Sequence, residues 1–154
     1  MDGFDGAGRP QFALGALLGA GTFGEVYLAR MTSPNGIQQD VAVKLLNTGL
    51  HPRSQPVSRM RDEGHLLASL NHPAILAVKD FCVVDGRIGL VTEFVAGADL
   101  HDLIFDSEDP IPAKPVLQVV SALADALHVA WETPAPGGGP MALVHRDEIG
   151  RAHV

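Results

Sequence analysis

The chain has 154 residues, 46% of them hydrophobic and 19% charged, a composition that supports a packed core and excludes a disordered polymer. Eleven basic against 18 acidic residues leave a net charge of −7, which argues against nucleic acid as the main partner, because phosphate backbones call for clustered Lys and Arg. The lone Cys82 excludes an internal disulfide and fits a reducing, cytoplasmic setting; no apolar run approaches a membrane span, and the acidic, Gly-rich start MDGFDGAGRP does not read as a signal peptide.

In chain order, residues 1–11 read as a flexible lead. QFALGALLGAG is one apolar, strand-like stretch, GEVYLARM alternates after a Gly-rich turn, and QQDVAVKLL is a third strand. MTSPNG, with Pro34 and Asn35-Gly36, reads as the hairpin turn between the second and third. HPRSQPV reads as a Pro-containing loop, and SRMRDEGHLLASL as a helix turning Met60, Leu66, Leu67 and Leu70 to one side. LAVKDFCVV and IGLVTEFV are two further strands joined by the turn Asp85-Gly86. ADLHDLIF is a short helix. IPAKPVLQVVSALADALHVAWE holds the longest helix, 113–132, with Val116, Val120, Leu123, Leu127 and Trp131 on one stripe. That spacing suits a face that packs on a core, and little in the rest of the chain offers to cover it, so the stripe is expected to be exposed here. TPAPGGGP is a loop, and there is no internal repeat.

Three features carry chemistry. Gly19, Gly21 and Gly24 stand in the spacing GxGxxG, where glycine lets backbone amides approach phosphate oxygens. The plain alternative is a glycine-containing hairpin. A dinucleotide-binding fold needs a helix directly after the glycines, and EVYLARM has strand character instead. Lys44 lies in the apolar run Val41-Ala42-Val43-Lys44, either a solvated edge lysine or half of an ion pair. Glu63, nine residues before His72, is the candidate partner, although Arg61, Asp62 and Glu63 together also suit an ordinary wet helix face. The seven histidines show no metal-ligand spacing, so no metal-binding residue is assigned; His72, before Pro73, reads as structural.

Taken in order, LGAGTFGEVYLAR, VAVK, the helical glutamate before LNHPAIL, LVTEFVAGADL and VHRD resemble the catalytic domain of eukaryotic-type protein kinases, in flavour the bacterial Ser/Thr kinases. The resemblance runs from about Phe12 to Asp147. It implies an α+β fold: a kinase-like small lobe over 12–95, made of a five-stranded antiparallel sheet plus one helix, then a hinge and the first helices of the large lobe over 96–147. It implies ATP as cofactor with Mg²⁺, a protein substrate, and transfer of the γ-phosphate to Ser/Thr hydroxyls.

The resemblance also implies roles for particular residues. Gly19, Ala20, Gly21 and Gly24 would fold over the phosphates. Lys44 would hold the α- and β-phosphates and Glu63 would fix Lys44. Val26 and Ala42 would roof the adenine, Thr92 would be the gatekeeper, and the backbones of Glu93 and Val95 would read the adenine edge. Asp99 would bond the ribose, or else simply cap the helix that follows. Asp147, in His145-Arg146-Asp147, would accept the proton of the substrate hydroxyl.

The family pattern then breaks off. The place five after Asp147, where the family carries a Mg²⁺-binding asparagine, is Ala152, and no DFG follows. The chain alone is therefore expected to be inactive in transfer. Residues 148–154 are expected to be a non-native tail, because IGRAHV is a common short-read sequencing adapter translated in one frame. Two other functions stay open: a pseudokinase or nucleotide-binding scaffold without phosphotransfer, and a small-molecule kinase of related fold, which LNHPAIL and VAGADL disfavour.

Overall fold

The computed structural model describes residues 8–51, 53–105 and 109–134. The chain divides into two compact units, Met1–Ala68 with Leu76–Val95, and Ser69–Ile75 with Ala96–Val154. Among the described residues, no helix is long and apolar enough to cross a membrane.

The first unit is a five-stranded antiparallel sheet with one helix. Strands β1 (Gln11–Gly21), β2 (Gly24–Thr32), β3 (Gln38–Leu46), β4 (Val78–Val84) and β5 (Arg87–Glu93) lie in the order β1-β2-β3-β5-β4. The β4–β5 turn is the two-residue loop Asp85-Gly86, with φ of 50° and 75°. Two successive positive φ values suit the twist of a tight hairpin, and Gly adopts one without cost. Between β2 and β3, the Ser33 N–H donates to Ile37 O and the Gly36 N–H to Ser33 O, at 2.8 and 2.9 Å.

One side of the sheet buries Ala29, Val41, Val43, Leu45, Cys82 and Val91, with Phe12, Leu14, Tyr27, Met31 and Val84 packed around them. The other side carries helix α1 (Gln55–Ser69), seated on Leu46 and Leu90 through Val57 and Met60. This helix begins three residues before the Ser58 start expected from the sequence. Pro56 does not prevent it, because a first-turn residue has no intrahelical acceptor for its N–H. The first helical hydrogen bond runs from the Ser58 N–H to Ser54 O, 3.0 Å. The buried stripe is consequently Val57, Met60 and Gly64, with Leu66 and Leu67 only partly covered. Gly64 belongs there because a Cβ would stand 2.2 Å from Phe81 Cζ and 2.9 Å from Leu90 Cδ1. Its missing side chain sets how closely α1 approaches the sheet.

The second unit holds α2 (Leu100–Phe105) and α3 (Ala113–Glu132). Thr133 closes α3, its N–H and Oγ1 both donating to Val129 O at 3.0 and 2.7 Å. The small residues Ala126 and Ala130 are the buried positions of α3, while Val116, Val120, Leu123 and Trp131 are 44–56% exposed. His72 sits in this unit. Its Nδ1 accepts the Ala74 N–H at 3.1 Å, which leaves Nε2 to donate to Asp125 Oδ2 at 3.0 Å, a structural use of both ring nitrogens.

Candidate functional site

Strand register assembles one face of the sheet. In antiparallel pairs, directly opposed residues point the same way. Gly19 opposes Val26, Val26 opposes Lys44, and Lys44 opposes Leu90, which makes one row across four strands. The next row is Leu28, Ala42 and Thr92, and the row on the other side is Gly21, Gly24 and Leu46. Gly19, Gly21, Gly24, Val26, Ala42, Lys44 and Thr92 therefore share the face that α1 covers at one end. Ala20 opposes Glu25 and Glu93 opposes Val41, so these two fall on the reverse side and offer the front only their backbone.

Lys44 meets Glu63 on this face. Its Nζ donates to Oε1 at 3.0 Å and to Oε2 at 2.8 Å, bridging β3 to α1. The two side chains are 42% and 45% exposed. An ion pair this wet adds little to stability, about 1 kcal/mol or less, so holding the ammonium in place is its main effect. A cavity of about 190 Å³ opens beside the pair, lined among others by Phe23, Leu46, Arg59 and Met60.

The glycines are not equivalent. Gly19 has nothing within 4 Å of where a Cβ would stand, and Gly21 has only Gly24 O at 4.0 Å. Gly24 is crowded instead, with Leu45 O at 2.2 Å and Leu46 Cα at 3.1 Å. Gly19 and Gly21 thus leave an open edge for a ligand, whereas Gly24 lets β2 lie against β3. None of the three has a positive φ. The tip of the hairpin, Thr22-Phe23, is tied to the end of β3: Asn47 Nδ2 donates to Thr22 O at 3.1 Å and the Asn47 N–H to Phe23 O at 3.0 Å.

At the far end of β5, the Glu93 N–H donates to Ala77 O at 2.9 Å and its Oε1 accepts the Ala77 N–H at 2.8 Å. Of the Glu93 backbone, only the carbonyl is left for a ligand, and it also accepts the Thr92 hydroxyl at 3.2 Å. Val95 is 66% exposed.

In the second unit, Asp99 caps α2: its Oδ1 accepts the Asp102 N–H at 2.8 Å and its carbonyl the Leu103 N–H at 3.1 Å. Replacing Asp99 with Ala should therefore destabilise α2 by about 1 kcal/mol. If the cap is its whole function, Asp99→Asn, a good cap, restores stability and leaves nucleotide affinity untouched; lost affinity in a fully stable Asp99→Asn would instead reveal a ligand role. Asp99, His101 and Asp102 also form an exposed group whose ligand atoms lie within 4.8 Å of one another. Asp147 lies outside the described residues, as do His145, Arg146, Ala152 and the tail 148–154.

Sequence reasoning passed over a second network. The Arg87 Nη2 donates to Glu25 Oε2 at 2.7 Å, the Tyr27 hydroxyl donates to the same oxygen at 3.0 Å, and Arg87 Nε donates to Leu46 O at 2.7 Å. Hydrogen bonds from Arg87 and Tyr27 hold the Glu25 carboxyl below its ordinary value, and Glu25 in turn raises Arg87. The residues stand 62 apart in sequence, so no local pattern signals them. Cys82 is a packing residue: burial pushes its thiol up to about 11, away from the thiolate that nucleophilic chemistry needs.

A family model described as protein tyrosine and serine/threonine kinase matches residues 12–136. The chain is 32% identical over 130 residues to the serine/threonine-protein kinase pkn2 of Myxococcus xanthus, covering 84% of this chain and 14% of that protein. It is 30% identical over 133 residues to the tyrosine-protein kinase MasK of the same organism, covering 84% of this chain and 21% of that protein. Among solved structures, the kinase domain of Mycobacterium tuberculosis PknI (a C20A mutant) superposes with a TM-score of 0.58 at 31% identity, over 77% of this chain and 47% of that one. The chain thus spans a small part of these two curated relatives and about half of a kinase domain.

Proposed function

The chain belongs to the protein tyrosine and serine/threonine kinase family, and on that premise we propose that it is the nucleotide-holding part of a protein kinase that transfers the γ-phosphate of ATP to serine or threonine hydroxyls. The observation that carries this reading is the bidentate Lys44–Glu63 pair, in one row with Gly19 and Val26 and beside the row of Ala42 and Thr92. Phosphoryl transfer depends on positioning and on offsetting charge. An ammonium fixed below an open glycine edge does both for a polyphosphate.

In this reading the backbone of Gly19, Ala20 and Gly21 meets the phosphates, and Lys44 holds the α- and β-oxygens with Glu63 as its anchor. Val26 and Ala42 roof the adenine, and Thr92 sets the depth of the pocket behind it. The Glu93 carbonyl and the Val95 backbone bond the adenine edge. The family's ribose-binding and proton-accepting roles fall to Asp99 and Asp147, with a protein as phosphate acceptor. Mg²⁺ bound with ATP would offset charge on the phosphates; beside Lys44 only Glu63 is anionic and it is already paired, so no described residue of this face is assigned to the ion.

The second reading is a nucleotide-binding scaffold without transfer. Titrating the chain with a fluorescent ATP analogue, with ATP as competitor, tests both. Saturable, competed binding is the expected result, and its absence overturns them together. Incubating a chimera, in which this chain is completed by the remaining half of a relative's kinase domain, with radiolabelled ATP and a mixed Ser/Thr/Tyr peptide separates the two: label on serine or threonine supports the kinase, label on tyrosine corrects the hydroxyl type, and binding without label leaves the scaffold.

A further inference from the structure

The geometry points to Arg87 as a positioning residue for the phosphate-holding face, acting from the reverse side of the sheet; the inference rests on the nucleotide reading above. Arg87 opens β5, two residues before Gly89, on the side opposite Lys44. The β3–β5 ladder ends at the pair Leu45–Gly89. Beyond it, the last residue of β3 would have a carbonyl facing no strand. The Arg87 guanidinium takes that place, with Nε donating to Leu46 O at 2.7 Å and Nη2 to Leu45 O at 3.3 Å. Those carbonyls belong to the two residues that follow Lys44.

The same Nη2 reaches Glu25, the residue after Gly24, at 2.7 Å, and Tyr27 completes the carboxylate's bonding at 3.0 Å. One planar, multiply donating group thus joins the strand leaving the tip of the glycine hairpin, the strand end next to the lysine and the start of β5. The Arg87 side chain is 16% exposed, so these bonds are sheltered from water compared with the Lys44–Glu63 pair. Nothing in the network faces the nucleotide side. Its consequence is geometric: it ties the strand that follows Gly24 to the strand end that follows Lys44, while Asn47 holds the hairpin tip.

The test uses the full chain with a fluorescent ATP analogue as probe, well below the melting temperature, with far-UV circular dichroism confirming the fold. Arg87→Met should weaken binding about tenfold, a loss of 1.4 kcal/mol. Arg87→Lys should recover part of it, since an ammonium can keep the Glu25 bond but not all three acceptors. Glu25→Gln, which preserves shape, should weaken binding less than Arg87→Met, and the double variant should be no worse than Arg87→Met, because both remove the same link. Amide exchange at Leu46 and Asn47 should quicken in Arg87→Met. A purely structural role would lower the melting temperature of Arg87→Met and leave affinity in the cold unchanged; that result, or an additive double variant, overturns the inference. Failure of the unmodified chain to bind overturns the nucleotide reading itself and this inference with it. Equal binding by the unmodified chain and Arg87→Met overturns only the role of Arg87.

Discussion

Lys44→Met should weaken nucleotide binding about 10–100-fold while lowering the melting temperature by no more than about 6 °C. The two halves of this expectation have separate causes. Lys44 and Glu63 are 42% and 45% exposed, and a wet ion pair contributes about 0–1 kcal/mol, so its loss costs no more than that in stability. Methionine also retains the apolar stem that packs along β3. The charge-assisted bonds from Nζ to a polyphosphate are worth about 1.5–3 kcal/mol, which is about 10–100-fold in affinity. Glu63→Gln should cost less, because Lys44 keeps its charge and loses only its anchor. Equal affinity for the ATP analogue in the parent and Lys44→Met would sink the assignment, whatever happens to the glycine variants.

The second large effect separates glycines that look alike in the motif. Gly24→Ala should destabilise the sheet by about 3 kcal/mol, at the upper end of overpacking costs, because the new Cβ would meet the Leu45 carbonyl oxygen at 2.2 Å and Leu46 Cα at 3.1 Å. Those are backbone atoms, which have no rotamer to escape into. For a unit of this size the expected drop in melting temperature is about 10–20 °C. Gly21→Ala, with only Gly24 O at 4.0 Å, should melt like the parent. Its methyl group would stand on the open edge and lower nucleotide affinity about tenfold. Thermal denaturation followed by circular dichroism, alongside the same titration, reads both. If Gly24→Ala melts with the parent, the close approach of β2 to β3 is not what the glycine is for.

Much of this was legible along the chain. Short apolar runs bounded by turn residues marked all five strands, and alternation marked the second, GEVYLARM. Asp85-Gly86 marked its hairpin, since few dipeptides accept two positive φ values. Lys44 and Glu63 stood out as an isolated charge in an apolar run and a helical acid, and the structure brings them together at 2.8 Å. The start of α1 was misplaced because Pro56 reads as a loop residue when its position in the first helical turn is unknown. Nothing in the sequence singles out Gly64, since a glycine's packing use depends on what lies opposite it, here Phe81 and Leu90.

The residue types and their spacing determined, without coordinates, the order of elements, while the antiparallel sheet with one helix on it and the candidate residues of the nucleotide face came from the resemblance to protein kinases that the ordered motifs carry. The order of elements follows from local rules of residue type, turn chemistry and helical spacing. Only the tertiary structure decided that Gly24 serves the β2–β3 contact while Gly19 and Gly21 stay open, and that Arg87 closes the end of β3 onto Glu25. Each of these depends on a register or a close approach between segments distant in the chain. Such distances are set by the packing of the whole sheet, and no local pattern carries them.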